Sequence, residues 1–257
     1  VNKDQHDRTE ATRFTVVIGA KGGIGVSTIA LDWARALANQ DHRTLLLELA
    51  GGDLSYLTGA TPAAFSDSIA DGSVSVEDAA VEIAPDLDLI ASGNTWAVQG
   101  PHDTAPIENL FNAASQGPWK ECIVDCGNTR LDIAAPLLSA CSTLGVVVTD
   151  DLACVSRTYA LLRRLADVGA AEHLALIFNR LSDAEQAESL RNRLDHITRT
   201  FLGATWPLCG VVPEGPPSRR AAAVAAWATA TPEADPEIEA EVNQSLINPA
   251  FAADNTG

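Results

Sequence analysis

A strand-like run, a glycine-rich turn and a helix-like run follow one another without a break over residues 14–38, and this order constrains the fold more than any other stretch. Phe14-Thr-Val-Val-Ile18 is apolar and β-branched. Gly19-Ala20-Lys21-Gly22-Gly23-Ile24-Gly25-Val26-Ser27-Thr28 comes next, and Ile29, Trp33, Ala36 and Leu37 then recur at helical spacing, predicting a helix over Ser27 to Asn39. Such a junction is suited to phosphate: glycines let the main chain approach an oxyanion, and the first N–H groups of the helix point at it with the positive end of the dipole. Gly22, Gly23, Ile24, Gly25, Val26, Ser27 and Thr28 are therefore candidate nucleotide-binding residues. The hydroxyl of Ser27 or Thr28 is a candidate partner for Mg²⁺.

The ordinary phosphate loop, G-x-x-x-x-G-K-[ST], places Lys after its last glycine. Val26 stands there, and a lysine occurs earlier, at Lys21. This displaced lysine resembles the deviant Walker A motif of the MinD/ParA family of dimerising ATPases. Within that family, G-A-K-G-G-I-G-V-S-T is similar to the CpaE/TadZ branch of pilus-assembly localisation proteins. The resemblance implies ATP or ADP with Mg²⁺ as cofactors and a nucleotide-dependent homodimer. It also makes Lys21 a catalytic residue, reaching across the dimer to the partner's phosphates.

The remaining segments alternate as an α/β chain would. Thr44-Leu-Leu-Leu47 is a short buried strand ending in Glu48-Leu49-Ala50-Gly-Gly-Asp53. In the family this strand ends in D-x-D. Here Glu48, a candidate metal-site residue, takes the first position, and Ala50 replaces the Asp that positions the attacking water. Glu48 also reads as a residue tolerated at a strand end, and Asp53 as a turn or N-cap residue. Thr61 to Ala84 reads as two short helices, Leu87 to Ile90 as a strand, Ala91 to Pro106 as a long polar loop, and Glu108 to Ser115 as a helix.

Glu121-Cys-Ile-Val-Asp125-Cys-Gly127 reads as a strand delivering Asp125 to its carboxyl end, resembling a Walker B segment near the Mg²⁺ shell. Leu144 to Thr149 is a further strand, followed by a helix over Leu152 to Val168. Leu174 to Phe178 is another, ended by Asn179-Arg180, a pair resembling the family's adenine-contacting Asn. An amide offers the donor and acceptor that a purine edge requires. A helix is read over Asp183 to Phe201. Val212-Pro213-Glu214 resembles the late turn whose backbone lies against the base, and a helix is read over Arg219 to Trp227.

The expected fold is a three-layer α/β domain, a mostly parallel, doubly wound sheet with helices on both faces. It is placed over 14–230, between a flexible segment, 1–13, and an acidic tail, 231–257. With 257 residues the chain is long enough for one full core. A formal charge of -17 opposes a broad contact with DNA phosphates or anionic lipid. No basic amphipathic helix of the membrane-anchoring kind is read in the tail. The five cysteines lack C-x-x-C spacing and sit in or beside apolar runs, which fits a reducing cytoplasm.

Function follows from two departures. Val26 removes a phosphate-directed cation and Ala50 removes a water-orienting carboxylate, so ATP binding is expected to outlast hydrolysis. The leading expectation is a nucleotide-responsive dimeric scaffold that positions a pilus or secretion assembly, in the cytoplasm or recruited to the inner face of the membrane through its partners. Its alternatives are an active ParA-like ATPase that partitions DNA or other cargo, and an interaction module that binds no nucleotide.

Overall fold

The computed structural model describes residues 11–49, 53–62, 64–93, 105–128, 138 and 141–228. Among the described residues, eight strands form one sheet in the order β3-β4-β2-β5-β1-β6-β7-β8. In chain order these are β1 (Arg13–Gly19), β2 (Thr44–Glu48), β3 (Val81–Ala84), β4 (Leu87–Ile90), β5 (Glu121–Asp125), β6 (Thr143–Val148), β7 (Leu174–Leu181) and β8 (Leu208–Pro213). Every pairing is parallel except β3 with β4. The five central strands are almost wholly buried, which explains why they read as continuous apolar runs rather than alternating ones.

The longer helices are α1 (Val26–Ala38), α5 (Ala105–Gln116), α6 (Leu152–Asp167), α7 (Ala184–Leu202) and α8 (Pro217–Trp227). Shorter ones are α2 (Asp53–Thr58), α3 (Ser66–Ala70) and α4 (Val76–Ala79). Helices cover both faces. Phe111 of α5 stacks on Phe14 of β1 with ring centroids 4.7 Å apart. Trp33 of α1 lies over Gly145, whose register partner is Val17, so α1 occupies the opposite face.

Helix α8 is locked to α1. Buried Asp32 accepts from Arg220, the Trp33 indole N–H donates to the Ala228 carbonyl at 2.9 Å, and Trp33 meets Trp227 edge to face at 5.0 Å. Trp227 reaches this position only because Gly210 of β8 lies beneath it. A β-carbon there would sit 2.2 Å from the indole nitrogen.

Several local expectations need correction. Val81 to Ala84 is not helical but an edge strand, turned back onto β4 through Asp86 at φ 57°. Four residues with an acid among them carry too little periodicity to be read as a strand. Asp53 lies in the first turn of α2, a helix that the sequence reading lacks. Ala105 and Pro106 belong to α5, not to the preceding loop, whose residues 94–104 lie outside the described residues, as does the tail. Thr12 and Arg13 are tied down, the first by a hydrogen bond to the Trp119 carbonyl at 2.9 Å and the second as the start of β1. All five cysteines are buried free thiols; burial pushes Cys141 up to about 11 and Cys209 up to about 12.

The Gly210–Trp227 contact gives a direct test of this packing. Gly210→Ala should cost about 1–3 kcal/mol by overpacking. Differential scanning calorimetry should record that as a fall in Tm of about 3–10 °C, accompanied by a change in tryptophan fluorescence.

Candidate functional site

Because the sheet is parallel, β1, β2, β5 and β7 all deliver their carboxyl ends to one edge. The turn after β1 crosses this edge and enters α1 at Gly25, whose φ of 94° favours glycine. Gly25 is also pinned from behind. The buried Asn179 amide donates to the Ile24 carbonyl at 2.6 Å, and a β-carbon on Gly25 would come within 2.5 Å of that nitrogen.

A cleft of about 290 Å³ opens in front of the turn. The loop supplies its floor through Lys21, Gly22, Gly23, Gly25, Val26, Ser27 and Thr28. Asp53, Tyr56 and Leu57 of α2 form one wall; Gly127, Asn128 and Arg180 complete the lining. Tyr56 is 90% exposed, an unusual state for a large aromatic. Asp53, Tyr56 and Leu57 share one face of α2 through their i, i+3, i+4 spacing. The same spacing in the sequence was the available sign that they act together.

The sequence-predicted residues do not all meet in one place. The loop residues and Arg180 meet in the cleft. Ile24 is buried beneath it, its side chain together with that of Val26 packed over Gly19, where a β-carbon would lie 2.7 Å from either. Asn179 is buried and its amide holds the loop, so the structure gives it a main-chain partner rather than an open purine edge. Val212 and Pro213 are buried in β8, and the Glu214 N–H donates to the Leu181 carbonyl at 2.8 Å; none of the three lines the cleft.

Glu48 and Asp125 are register partners at the ends of β2 and β5. Glu48 is fully buried and accepts from two main-chain donors, Leu54 N–H to Oε1 and Ser92 N–H to Oε2, each at 3.0 Å. It staples the start of α2 to the end of β4 and does not line the cleft, in contrast to the metal-site role expected for it. Burial raises its pKa against the pull of those two hydrogen bonds.

Asp125 has a different environment. Its Oδ1 accepts from the Gly127 N–H at 2.9 Å, but Oδ2 is buried with no hydrogen-bond partner. Burial pushes its pKa from an ordinary 3.8 to about 7, opposed by the nearby Ser27 hydroxyl and the Gly127 amide. An orphaned carboxylate oxygen beside a serine hydroxyl under a phosphate loop fits a hydrated Mg²⁺, which is held by one or two protein oxygens, water and phosphate. Among the described residues no group of three or more His, Cys, Asp or Glu is arranged to hold a metal by itself; Ser27 and Asp125 are the residues that could hold one here.

Lys21 does not point into open solvent. Its ammonium pairs with Asp151 Oδ2 at 2.5 Å, while Oδ1 of the same aspartate caps α6 through the Ala153 N–H. Asp151 is legible in sequence as the start of α6, but its pairing with Lys21 is not, since the two lie 130 residues apart.

The family described as cellulose biosynthesis protein BcsQ matches residues 13–201, the span from β1 to the end of α7. The chain belongs to the BcsQ family. Over 214 residues it is 25% identical to the antiactivator FleN of Pseudomonas aeruginosa, covering 80% of this chain and 75% of that one.

Solved structures share the fold. The ParA family ATPase of Chlorobium tepidum superposes with a TM-score of 0.66 at 22% identity, over 93% of this chain and 99% of that one. Cobyrinic acid a,c-diamide synthase of Mycobacterium smegmatis, solved with an ATP analogue and magnesium, gives 0.69 at 21% identity, over 85% and 93%. MinD of Aquifex aeolicus gives 0.61 at 17%, over 96% and 98%. The BcsQ-family chain thus has the ParA/MinD type of phosphate-loop fold. No described helix is long and apolar enough to cross a membrane.

Burial of Asp125 makes stability depend on pH in a defined direction. Between about pH 4 and 7 the folded chain holds a proton that the unfolded chain has lost. The contribution is complete below about pH 4 and is lost as pH rises through 7, a change on the order of a few kcal/mol. Asn carries no charge at any pH. Without nucleotide or divalent ion, Asp125→Asn should therefore raise Tm over wild type by more at pH 8 than at pH 5. A difference that stays constant across that range would contradict the assignment.

Proposed function

We propose that this BcsQ-family chain binds ATP with Mg²⁺ as a switch, holds a homodimer while it is bound, and hydrolyses it slowly or not at all. The dimer would serve as a positioning scaffold for a surface assembly. The single observation that carries this reading is the composition of the cleft. The glycine loop and Ser27 line it and the buried Asp125 carboxylate lies beneath, whereas Val26 stands where the loop cation belongs. Mg²⁺, when bound, would neutralise charge on the β- and γ-phosphates.

The protein's own groups divide the work. The loop amides orient the triphosphate, Ser27 and Asp125 hold the ion's water shell, and the α2 wall covers the open side. One charge-assisted hydrogen bond is worth about 1.5–3 kcal/mol, so Val26 weakens binding roughly 10- to 150-fold relative to a loop with lysine. Ala50, outside the described residues, stands where the resemblance to MinD/ParA proteins calls for the water-positioning carboxylate. Phosphoryl transfer rests on positioning and charge stabilisation, so both changes reduce turnover more than occupancy.

Dimerisation gives Lys21 its role. Within one chain it is neutralised by Asp151 on an exposed surface, a pairing of small worth. A second chain's phosphates would compete for it readily. The similarity to CpaE/TadZ proteins supports a pilus or secretion assembly as the machine served, and the BcsQ family description supports one that makes a surface polymer. Both are envelope assemblies.

Size-exclusion chromatography with light scattering tests the switch. Wild type should be a monomer alone and a dimer with ATP·Mg²⁺, with phosphate release near background. Lys21→Ala should bind ATP but remain monomeric. Brisk steady-state phosphate release, or no calorimetric binding at millimolar ATP, would refute the reading.

A further inference from the structure

The cleft has lost one cation and has a second tied up, which leaves its remaining positive charge to be explained. Arg180 lies at the end of β7, exposed, and lines the cleft beside the loop. It forms no ion pair or side-chain hydrogen bond with the described residues. Its backbone is unusual: φ is 61°, a left-handed conformation rare in an arginine.

That conformation is enforced from both sides. The preceding residue, Asn179, donates to the Ile24 carbonyl of the loop at 2.6 Å. The following residue, Leu181, accepts from the Glu214 N–H at 2.8 Å. The register with β8 slips between Asn179 and Leu181, so Arg180 is bulged out of the ladder. A backbone strained in this way at a functional cleft marks a side chain being aimed.

Electrostatics gives the aim a target. Asp53 lines the same cleft and Asp125 lies beneath it, while Lys21 is engaged by Asp151. With Lys21 paired, Arg180 is the remaining cation among the residues that line the cleft, placed to meet a polyphosphate together with its Mg²⁺. A guanidinium suits the task, since its planar fork matches two phosphate oxygens and it stays charged at any working pH.

We propose that Arg180 supplies, from the end of β7, the phosphate-directed positive charge that Val26 has removed from the loop. This rests on the reading that the cleft binds a nucleoside triphosphate. It assigns Arg180 to the phosphates, not to the base, and makes Asn179 its positioning residue through the bond to Ile24.

Isothermal titration with ATP·Mg²⁺ on the full chain tests the proposal, using wild type, Arg180→Gln, Arg180→Lys, Val26→Lys and the double variant Val26→Lys/Arg180→Gln. Arg180→Gln should bind about 10-fold or more weakly, with Tm in the absence of nucleotide unchanged. Arg180→Lys should fall between wild type and Arg180→Gln, since it keeps the charge and loses the fork. Val26→Lys should strengthen the Arg180→Gln protein more than it strengthens wild type, because one cation substitutes for the other. A base contact would show no such rescue.

Equal affinity of Arg180→Gln and wild type overturns the proposal. So does a loss that neither Arg180→Lys nor Val26→Lys repairs. Should Val26→Lys fail to fold over Gly19, the Lys and Gln variants at position 180 still decide the matter. Absence of binding by wild type itself overturns the nucleotide reading along with this one, and so differs from a failure confined to Arg180.

Discussion

Two acids, Glu48 and Asp125, end neighbouring strands side by side inside a sheet that excludes water, and the site is arranged around the cost of burying them. An ionised carboxylate in such a place must be paired, hydrogen-bonded or protonated. The protein gives the two acids different solutions. Glu48 receives two main-chain N–H groups and becomes a structural staple between α2 and β4. Asp125 receives one, leaving its second oxygen buried without a hydrogen-bond partner. The unfinished solvation of Asp125 is what a hydrated ion would complete, so the same feature that lowers the stability of the empty chain equips it to bind.

The loop above these acids is held by a side chain rather than by its own sequence. The Asn179 amide fixes the Ile24 carbonyl, and with it the left-handed turn at Gly25 that starts α1. On the far side α1 is fastened to α8 through Asp32 and Trp33. Loop, first helix, β7 and α8 thus form one connected unit. The α2 wall of the cleft stands outside this unit, with Tyr56 left exposed.

Much of this was legible beforehand. The central strands appear as unbroken apolar runs because both of their faces are covered. The glycine-rich turn announces itself because few other sequences let a main chain approach an anion. Short elements were not legible: α2 has six residues and β3 four, too few for a period to stand out, and each is stabilised by what it packs against. Glu48 was visible as an acid at a strand end. Its conversion into a staple depended on Ser92, which is 44 residues away.

The sequence by itself determined the fold class, the glycine-rich turn that opens α1, the valine at position 26 and the acid at the end of β5. These are properties of adjacent residues, and periodicity and backbone preference act over a few positions. Tertiary structure alone decided that Lys21 meets Asp151, that Asn179 grips the loop across 155 residues, and that Arg180 is turned into the cleft. Those outcomes depend on which strands the crossovers bring together. A side chain's partner is set by packing and charge in three dimensions, which a linear pattern does not contain.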